Sequence, residues 1–297
     1  MPARRPLVMI AVSAVCFAFM AFAAKLAAAR LPGGQIAFVR FALMLAPVLL
    51  PQLARRALVV QRLDLLAYRG LFGGVAVLCY FLALAHIPVG IATLLNYSSP
   101  IFSVAFARFF LGERLDRRLA LPLAAALLGL ACAAVGGGDG GRPGVGDGGE
   151  NFAGVSPWVL AGFASAVLSG AALAAVRAAR RTEGSWAIYG SFSLCGLLAT
   201  APFALPGWVA PTAREWLLLG VVGATSVVAQ LLMTYAYRWV TNVQAGVLSQ
   251  LTVVTSMLLG VVFLGDRLTP VQVLGTALAL GGVVGVAWIQ ATPRAVE

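Results

Sequence analysis

Apolar runs of about 20 residues recur along the chain, separated mostly by short polar segments. About 20 apolar residues in a helix cross the hydrocarbon core of a bilayer, so each run predicts a membrane-spanning helix. The runs lie at 7–29, 35–52, 66–86, 88–111, 118–136, 157–179, 186–206, 214–236, 241–264 and 269–290. The pattern therefore predicts an all-α membrane protein with ten transmembrane helices.

The composition agrees with this class. The chain is 61% hydrophobic and only 10% charged, whereas soluble domains carry about 25% charged residues. The net charge of +11 could indicate a nucleic-acid partner, but the basic residues lie in the gaps between apolar runs and not in one soluble domain. We therefore expect the lipid bilayer and a small-molecule substrate as partners, and no nucleic acid.

Arginine placement predicts the orientation. Twelve arginines lie in the gaps on the side of the N-terminus and four in the gaps on the other side. Because cytoplasmic loops of membrane proteins are enriched in basic residues, both termini are expected in the cytoplasm. The N-terminal run resembles a cleavable signal peptide, but we interpret it as a retained first helix. The expected location is the inner membrane of a bacterium.

The two halves of the chain resemble each other. The sequence FFLGERL (109–115) matches VFLGDRL (262–268), a shift of 266 − 113 = 153 residues. Two copies of a five-helix unit enter a membrane with opposite orientation, and such inverted repeats are common in carriers. We expect one repeat at 1–135 and a second at 157–297, joined by a glycine-rich outer linker at 136–156.

Polar residues interrupt the fourth run, within LLNYSSPIFSV (94–104). Asn96, Ser99 and Ser103 share one face of an ideal helix, and the corresponding part of the second repeat carries Ser249, Gln250 and Thr252. Polar groups in hydrocarbon are costly unless protein or a wet cavity satisfies them. These residues are candidates for lining a substrate cavity, and ordinary helix–helix contacts are the alternative.

Two cations lie within predicted spans, Lys25 in the first and Arg40 in the second, and neither span contains a carboxylate. An intramembrane cation is a functional candidate and would suit a carboxylate on the substrate. Extension of the long side chain to the outer interface is the alternative. No Asp or Glu lies in the middle of a predicted span, which favours facilitated diffusion, exchange or export down a gradient over carboxylate-based proton coupling.

Three further features complete the candidate residues. Tyr80 lies toward an end of the third run, where aromatic residues usually form an interfacial belt; stacking on a planar substrate is the alternative. Gln230 in the eighth run is a cavity candidate. Gly281 and Gly285 form a GxxxG pattern that predicts close helix packing.

The stretches YFLALAHIPVGIATLLNYSSPIFSVAFARFFLGERL (80–115) and QLLMTYAYRWVTNVQAGVLSQLTVVTSMLLGVVFLGDRL (230–268) resemble the EamA branch of the drug/metabolite transporter superfamily. RGLFGG (69–74) and LLNYSSP (94–100) resemble the part of that branch that includes S-adenosylmethionine carriers. The resemblance implies a transporter of small metabolites, such as amino acid- or nucleoside-like solutes, that works by alternating access.

Other classes of function are less well supported. GGGD (136–139) and GVGD (144–147) match the GxGD pattern of intramembrane aspartyl proteases, but both lie in the linker. The four cysteines fall in different apolar runs and have no metal-ligand spacing, so we expect no enzyme activity, no metal and no cofactor. A non-transporting membrane scaffold or sensor is the alternative function, and a homodimer is left open.

Overall fold

The computed structural model describes residues 4–50, 55, 59–103, 106, 117–135, 156–180, 182–236, 239 and 242–291. This part of the chain is helical and contains no β-strand. Its main α-helices are α1 (Arg4–Ala27), α2 (Gly33–Leu45), α3 (Leu63–His86), α4 (Val89–Tyr97), α5 (Ala120–Val135), α6 (Pro157–Ala179), α7 (Ser185–Ala204), α8 (Ala213–Ala236), α9 (Asn242–Ser249), α10 (Leu251–Leu259) and α11 (Pro270–Ala291). The predicted linker 136–156 lies outside the described residues except for Ser156.

Most apolar runs form the helices expected of them. The helices α1, α3, α5, α6, α7, α8 and α11 agree with the predicted spans to within three residues at each end. The second span is shorter than expected, because α2 ends at Leu45 and a 3₁₀ turn at Ala46–Leu49 follows it. Pro47 lies in that turn, and proline disfavours helical geometry at the residue before it.

The outer surface of the bundle is apolar, as a lipid-facing surface must be. Leu121, Leu217 and Leu274 are 81%, 71% and 71% exposed. Six helices in the described part of the chain are long and apolar enough to cross a membrane, and three shorter apolar helices accompany them. Exposed apolar surface on this scale is typical of a membrane protein and not of a soluble monomer.

The helix contacts are symmetric between the two halves. Helix α3 packs on α6 as α8 packs on α1, and α3 packs on α7 as α8 packs on α2. Helix α4 contacts α6, and its counterpart α9 contacts α1. The pairs α5–α11 and α2–α7 join equivalent helices. Exchange of the halves therefore maps these contacts onto each other.

The symmetry holds at the level of single residues where α5 crosses α11. A Cβ placed on Gly129 would lie 2.3 Å from the backbone nitrogen of Ala279, and one on Gly282 would lie 2.5 Å from that of Ala126. Both relations follow the predicted shift, since 282 − 129 = 153 and 279 − 126 = 153. Gly275 lies against Ala133 further along, so the two helices run antiparallel.

The repeat extends to the first helix of each half, where the sequence similarity is weak. Ile10 on α1 packs with Ala236 and Leu248. A Cβ on Gly162 of α6 would contact Ala83 and Leu95, which precede Ala236 and Leu248 by 153 residues.

The fourth and ninth predicted helices are interrupted at equivalent places. Helix α4 ends at Tyr97, Ser98 forms a turn, and the helix restarts at Ser99. Pro100 explains this break, because it cannot donate a backbone hydrogen bond and its ring clashes with the preceding turn. Gln250 forms the corresponding turn between α9 and α10. Within the described residues, the spans expected over 88–111 and 241–264 are therefore each broken by a turn.

The second copy of the repeated sequence motif connects the two halves. Gly265 follows the π-helical turn Gly260–Leu264 with φ 71°, a backbone conformation that favours glycine. The Oδ2 atom of Asp266 accepts a hydrogen bond from the backbone N–H of Val89 at 3.2 Å, at the start of α4. The first copy of the motif, at 109–115, lies outside the described residues.

Candidate functional site

Arg40 is buried where α2 meets α3, α7 and α8. Only 3% of the residue is exposed. Its Nε atom donates a hydrogen bond to the Oγ atom of Ser226 on α8 at 2.9 Å. The rings of Phe41 and Phe81 have their centroids 5.1 and 5.7 Å from the Arg40 Cζ atom, within the range of cation–π attraction. The guanidinium thus has two aromatic neighbours and one neutral hydroxyl partner.

No carboxylate neutralises Arg40 within the described part of the chain. Its Nη1 atom is buried and has no hydrogen-bond partner there. The described carboxylates are used elsewhere, in contacts of Asp64 with Arg62, Glu183 with the backbone of Gln61 and Arg62, Glu215 with Arg30, and Asp266 with Val89. Since a buried cation without a partner is costly, this position favours an anionic ligand.

Tyr80 and Thr93 form a buried hydroxyl pair beside this cation. Their oxygen atoms are 3.0 Å apart, and the Thr93 Oγ1 atom also donates to the carbonyl oxygen of Val89 at 2.7 Å. Tyr80 precedes Phe81, whose ring faces Arg40. Burial of Tyr80, which is 4% exposed, does not fit the alternative of an interfacial aromatic belt.

The two helix breaks meet each other. The Gln250 Nε2 atom lies 3.5 Å from the carbonyl oxygen of Tyr97 and 3.3 Å from that of Gly246. The Gln250 Oε1 atom is buried without a partner among the described residues. Gln250 follows Tyr97 by 153 residues, so their contact lies on the pseudo-twofold axis between the halves.

Asn96 faces the other half of the molecule. Its Nδ2 atom donates to the Oγ atoms of Ser165 at 2.5 Å and Ser169 at 3.3 Å, both on α6. In the other half, the Thr252 Oγ1 atom donates to the carbonyl oxygen of Ala14 on α1 at 3.1 Å. Both contacts join one repeat to the other near the helix breaks.

The other candidates differ in how they are satisfied. The hydroxyls of Ser103 and Ser249 donate to carbonyls of their own helices, at 2.9 and 2.8 Å. Ser99 and Gln230 are both 7% exposed, and neither side chain forms a hydrogen bond with a described residue. The structure thus presents Arg40, Gln250, Ser99 and Gln230 as buried groups with hydrogen-bonding capacity left over.

Lys25 has a different environment from Arg40. Its Nζ atom donates to the carbonyl oxygens of Ile87 at 2.8 Å and Ala85 at 3.3 Å. These carbonyls belong to the C-terminal end of α3, where a cation interacts favourably with the helix dipole. This contact fixes α1 to the turn between α3 and α4.

Several polar residues that join the halves carry no separate signal in the sequence. Gln35 exchanges two hydrogen bonds with the backbone of Val209, at 2.8 and 3.0 Å. Ser226, which binds Arg40, is a single small hydroxyl in an apolar run. Their roles come from contacts with residues distant in the chain or from burial, which periodicity does not reveal.

The arrangement offers buried hydrogen-bonding groups that are suited to binding a polar ligand. Within the described residues, no group of three or more His, Cys, Asp or Glu side chains could hold a metal ion. The hydrogen-bonding groups converge on the contact between the halves. This is the place where carriers built from inverted repeats bind their substrates.

The comparisons with known proteins agree with a carrier. The pseudopaline exporter CntI of Pseudomonas aeruginosa, in strains UCBPP-PA14 and PAO1, is 29% identical over 223 residues, which cover 74% of each chain. A solved crystal structure matches 96% of this chain and 97% of its own, with a TM-score of 0.64 and 26% identity. The model of the EamA-like transporter family matches residues 4–135 and 156–288. The two matches confirm the predicted resemblance and its two repeats, and the chain belongs to the EamA-like transporter family.

Proposed function

We propose that this membrane transporter carries small organic metabolites by alternating access, with its substrate bound between the two repeats. The observation that carries the proposal is Arg40, a buried guanidinium without a carboxylate partner in the described part of the chain. Its position, about 10 Å along α2 from Gly33 at a rise of 1.5 Å per residue, lies inside the bundle. A carboxylate on an amino acid- or nucleoside-like solute would neutralise it.

The proposed topology is ten spans in two inverted repeats of five, with both termini in the cytoplasm of a bacterium. The antiparallel crossing of the equivalent helices α5 and α11 supports the inversion. The exchange-symmetric helix contacts support it independently. Two such halves have two equivalent arrangements, one open to each side of the membrane.

The proposed site combines Arg40 with the helix breaks. Arg40 would bind the substrate carboxylate, and the remaining candidates would bind the polar groups of its other end. These candidates are Asn96, Ser99, Ser103, Tyr80, Gln230, Ser249, Gln250 and Thr252. Lys25 has a smaller role here than the sequence indicated, because its ammonium group already binds the end of α3.

Export is the proposed direction, because both curated relatives are named as exporters. The resemblance of residues 69–74 and 94–100 to S-adenosylmethionine carriers predicts a solute that carries an amino acid moiety. Amino acids and S-adenosylmethionine share an amino acid moiety, and its carboxylate matches the anion that Arg40 would bind.

A thermal-shift screen of the purified protein in detergent tests for a ligand. The panel contains amino acids, S-adenosylmethionine and related nucleosides, sugars and uncharged drugs. A ligand at 100 times its Kd stabilises the native state by about 2.7 kcal/mol. We expect a dose-dependent rise in Tm with compounds that carry a carboxylate, and none with their methyl esters. An equal rise with acid and ester would contradict the proposed role of Arg40.

We predict that Asn96→Ala weakens ligand binding about tenfold and leaves the Tm of the ligand-free protein nearly unchanged. Asn96 is partly exposed, and its serine partners on α6 carry hydroxyls that can donate as well as accept. The measurement is the ligand concentration that gives half the maximal thermal shift.

Ser13→Ala is the matched control for Asn96→Ala. The Ser13 hydroxyl also joins the two halves, through the carbonyl oxygen of Ala229 at 2.7 Å, but it is fully packed in the core. The Ser13→Ala substitution should lower the Tm of the ligand-free protein without changing the ligand concentration that gives half the maximal thermal shift. If Asn96→Ala behaves like Ser13→Ala, Asn96 is a packing residue.

A further inference from the structure

Arg30 and Glu215 join the two halves at one end of the bundle. Arg30 lies in the turn between α1 and α2, and Glu215 in the first turn of α8. The Arg30 Nε and Nη2 atoms donate to the two carboxylate oxygens at 2.7 and 2.5 Å. The Nη2 atom also donates to the carbonyl oxygen of Ala210 at 2.7 Å. We name this contact the outer latch, since the predicted orientation places it on the outer side of the membrane.

Glu183 joins the two halves at the other end. It lies in the turn between α6 and α7, and only 8% of it is exposed. Its Oε1 atom accepts hydrogen bonds from the backbone N–H groups of Gln61 at 2.9 Å and Arg62 at 2.5 Å, just before α3. The carboxylate therefore caps the positive N-terminal end of that helix. We name this contact the inner latch.

The two latches are related by the repeat. Glu183 follows Arg30 by 183 − 30 = 153 residues, and Glu215 follows Arg62 by 215 − 62 = 153 residues. Each latch joins the turn between the first two helices of one half to the start of the third helix of the other half. The charges are reversed, since the turn carries the cation in the outer latch and the anion in the inner latch.

The latches lie at opposite ends of the bundle. Helix α7 begins two residues after Glu183 and ends before the loop that contains Ala210. Its 20 residues span about 30 Å at 1.5 Å per residue, which is the thickness of the bilayer core. A rocking motion of the two halves that opens one end must lengthen the contact there and can leave the other intact.

We propose that the outer and inner latches are a symmetry-related pair of gates, each of which holds one end of the carrier closed while the other end opens. This inference rests on the alternating-access function proposed above. The two gates bias one equilibrium in opposite directions: loss of the outer latch favours the outward-open state, and loss of the inner latch favours the inward-open state.

The size of the bias follows from the exposure of each latch. The outer latch is solvent-exposed on its arginine side, and exposed ion pairs contribute a factor of about two to five to an equilibrium. The inner latch is more buried, and its Glu183 Oε2 atom has no partner among the described residues. We therefore expect a larger shift from Glu183→Gln than from Glu215→Gln.

Distances between spin labels at each end provide the test, in lipid nanodiscs and without substrate. The background replaces the four native cysteines by alanine. One label pair spans the outer end, at Ala29 and Gly207, and another spans the inner end, at Val60 and Gly184. All four positions are exposed, and a Cβ on either glycine meets no atom within 4 Å.

Three results are expected. Glu215→Gln increases the population with a long outer distance about two- to fivefold and leaves the inner end closed. Glu183→Gln increases the population with a long inner distance by a larger factor and leaves the outer end closed. Asp64→Asn, which breaks the exposed pair with Arg62 within one half, changes neither distance.

The double variant Glu215→Gln/Glu183→Gln distinguishes two gates that act on one equilibrium from two contacts that each loosen only their own end of the bundle. Coupled gates bias one equilibrium in opposite directions, so the double variant has a smaller inward bias than Glu183→Gln alone. Independent opening of both ends in the double variant would overturn the proposal, as would unchanged distances in both single variants.

Charge reversal at the outer latch provides a second test. Arg30→Glu alone should open the outer end, and the pair Arg30→Glu/Glu215→Arg should close it again; failure to close overturns the outer gate. These distances need no substrate. If the outer and inner distances respond in opposite directions but the protein transports no solute, the proposed function is wrong. If transport is normal but the two distances change independently, the latches are not gates.

Discussion

Replacing Arg40 by Gln is expected to reduce the transport rate at subsaturating substrate by about 100-fold or more. Removal of one partner from a buried charge pair costs about 2–5 kcal/mol, and the substrate carboxylate would keep only the weaker amide hydrogen bonds. Without ligand, the variant should fold and insert normally. It loses a buried cation whose Nη1 atom has no partner in the described part of the chain, and burying such a cation is costly. The measurement is the rate of solute uptake into lipid vesicles whose membrane contains the purified, reconstituted protein.

Two variants control for the loss of charge and for the fold. Arg40→Lys keeps the charge but not the planar donor geometry, so it should retain an intermediate rate. Arg214→Gln removes an exposed arginine near the start of α8 and should leave the rate unchanged. Equal uptake by Arg40→Gln and the native protein would remove Arg40 from the site.

Replacing Gly282 by Leu is expected to lower the free energy of unfolding by about 3 kcal/mol and to abolish transport as a consequence. Overpacking of a tight contact costs about 1–3 kcal/mol, and here the new Cβ would lie 2.5 Å from the backbone nitrogen of Ala126 and 2.6 Å from the carbonyl oxygen of Pro122. Backbone atoms on a packed helix cannot move aside. The Tm in detergent measures the loss.

Gly281→Leu is the matched control for this substitution. Gly281 is the neighbouring residue on the same helix, and its Cβ would meet no atom within 4 Å. The replacement of glycine should even favour the helix slightly. A Tm as low for Gly281→Leu as for Gly282→Leu would contradict the position of the α5–α11 crossing.

The same crossing shows how far a local motif predicts packing. The GxxxG pattern of Gly281 and Gly285 predicted close packing, and only Gly285 is near the partner helix, with its Cβ position 3.0 Å from Pro122. The glycines of α11 that lie against the backbone of α5 are Gly282 and Gly275, seven residues apart. A spacing rule gives a helix face, but which glycine touches the neighbour depends on the rotation of both helices.

The helices themselves follow directly from the sequence. In a bilayer a long apolar run satisfies its backbone only as a helix, so length and composition predict α6 to the residue. The break at Ser98 also has a local cause in Pro100. The break at Gln250 has no proline, and the only sign of it in the sequence is its place in the repeat.

The contacts of the site could not be predicted in the same way. Arg40 and Ser226 are 186 residues apart in the chain, and nothing around Ser226 distinguishes it from other small polar residues in apolar runs. Lys25 and Arg40 look alike as intramembrane cations, yet one binds carbonyl oxygens and the other has a free donor among the described residues. The difference depends on which helix end lies within reach, which only the packed structure determines.

Exchange of radiolabelled S-adenosylmethionine and of a labelled amino acid mixture, across vesicles that contain only purified protein and lipid, tests the central claim most directly. We predict that the native protein exchanges at least one carboxylate-bearing solute at a higher rate than protein-free vesicles do. The Arg40→Gln variant should lose this exchange. Binding of a solute in the thermal-shift screen without any exchange across the membrane would contradict a carrier and support a membrane sensor.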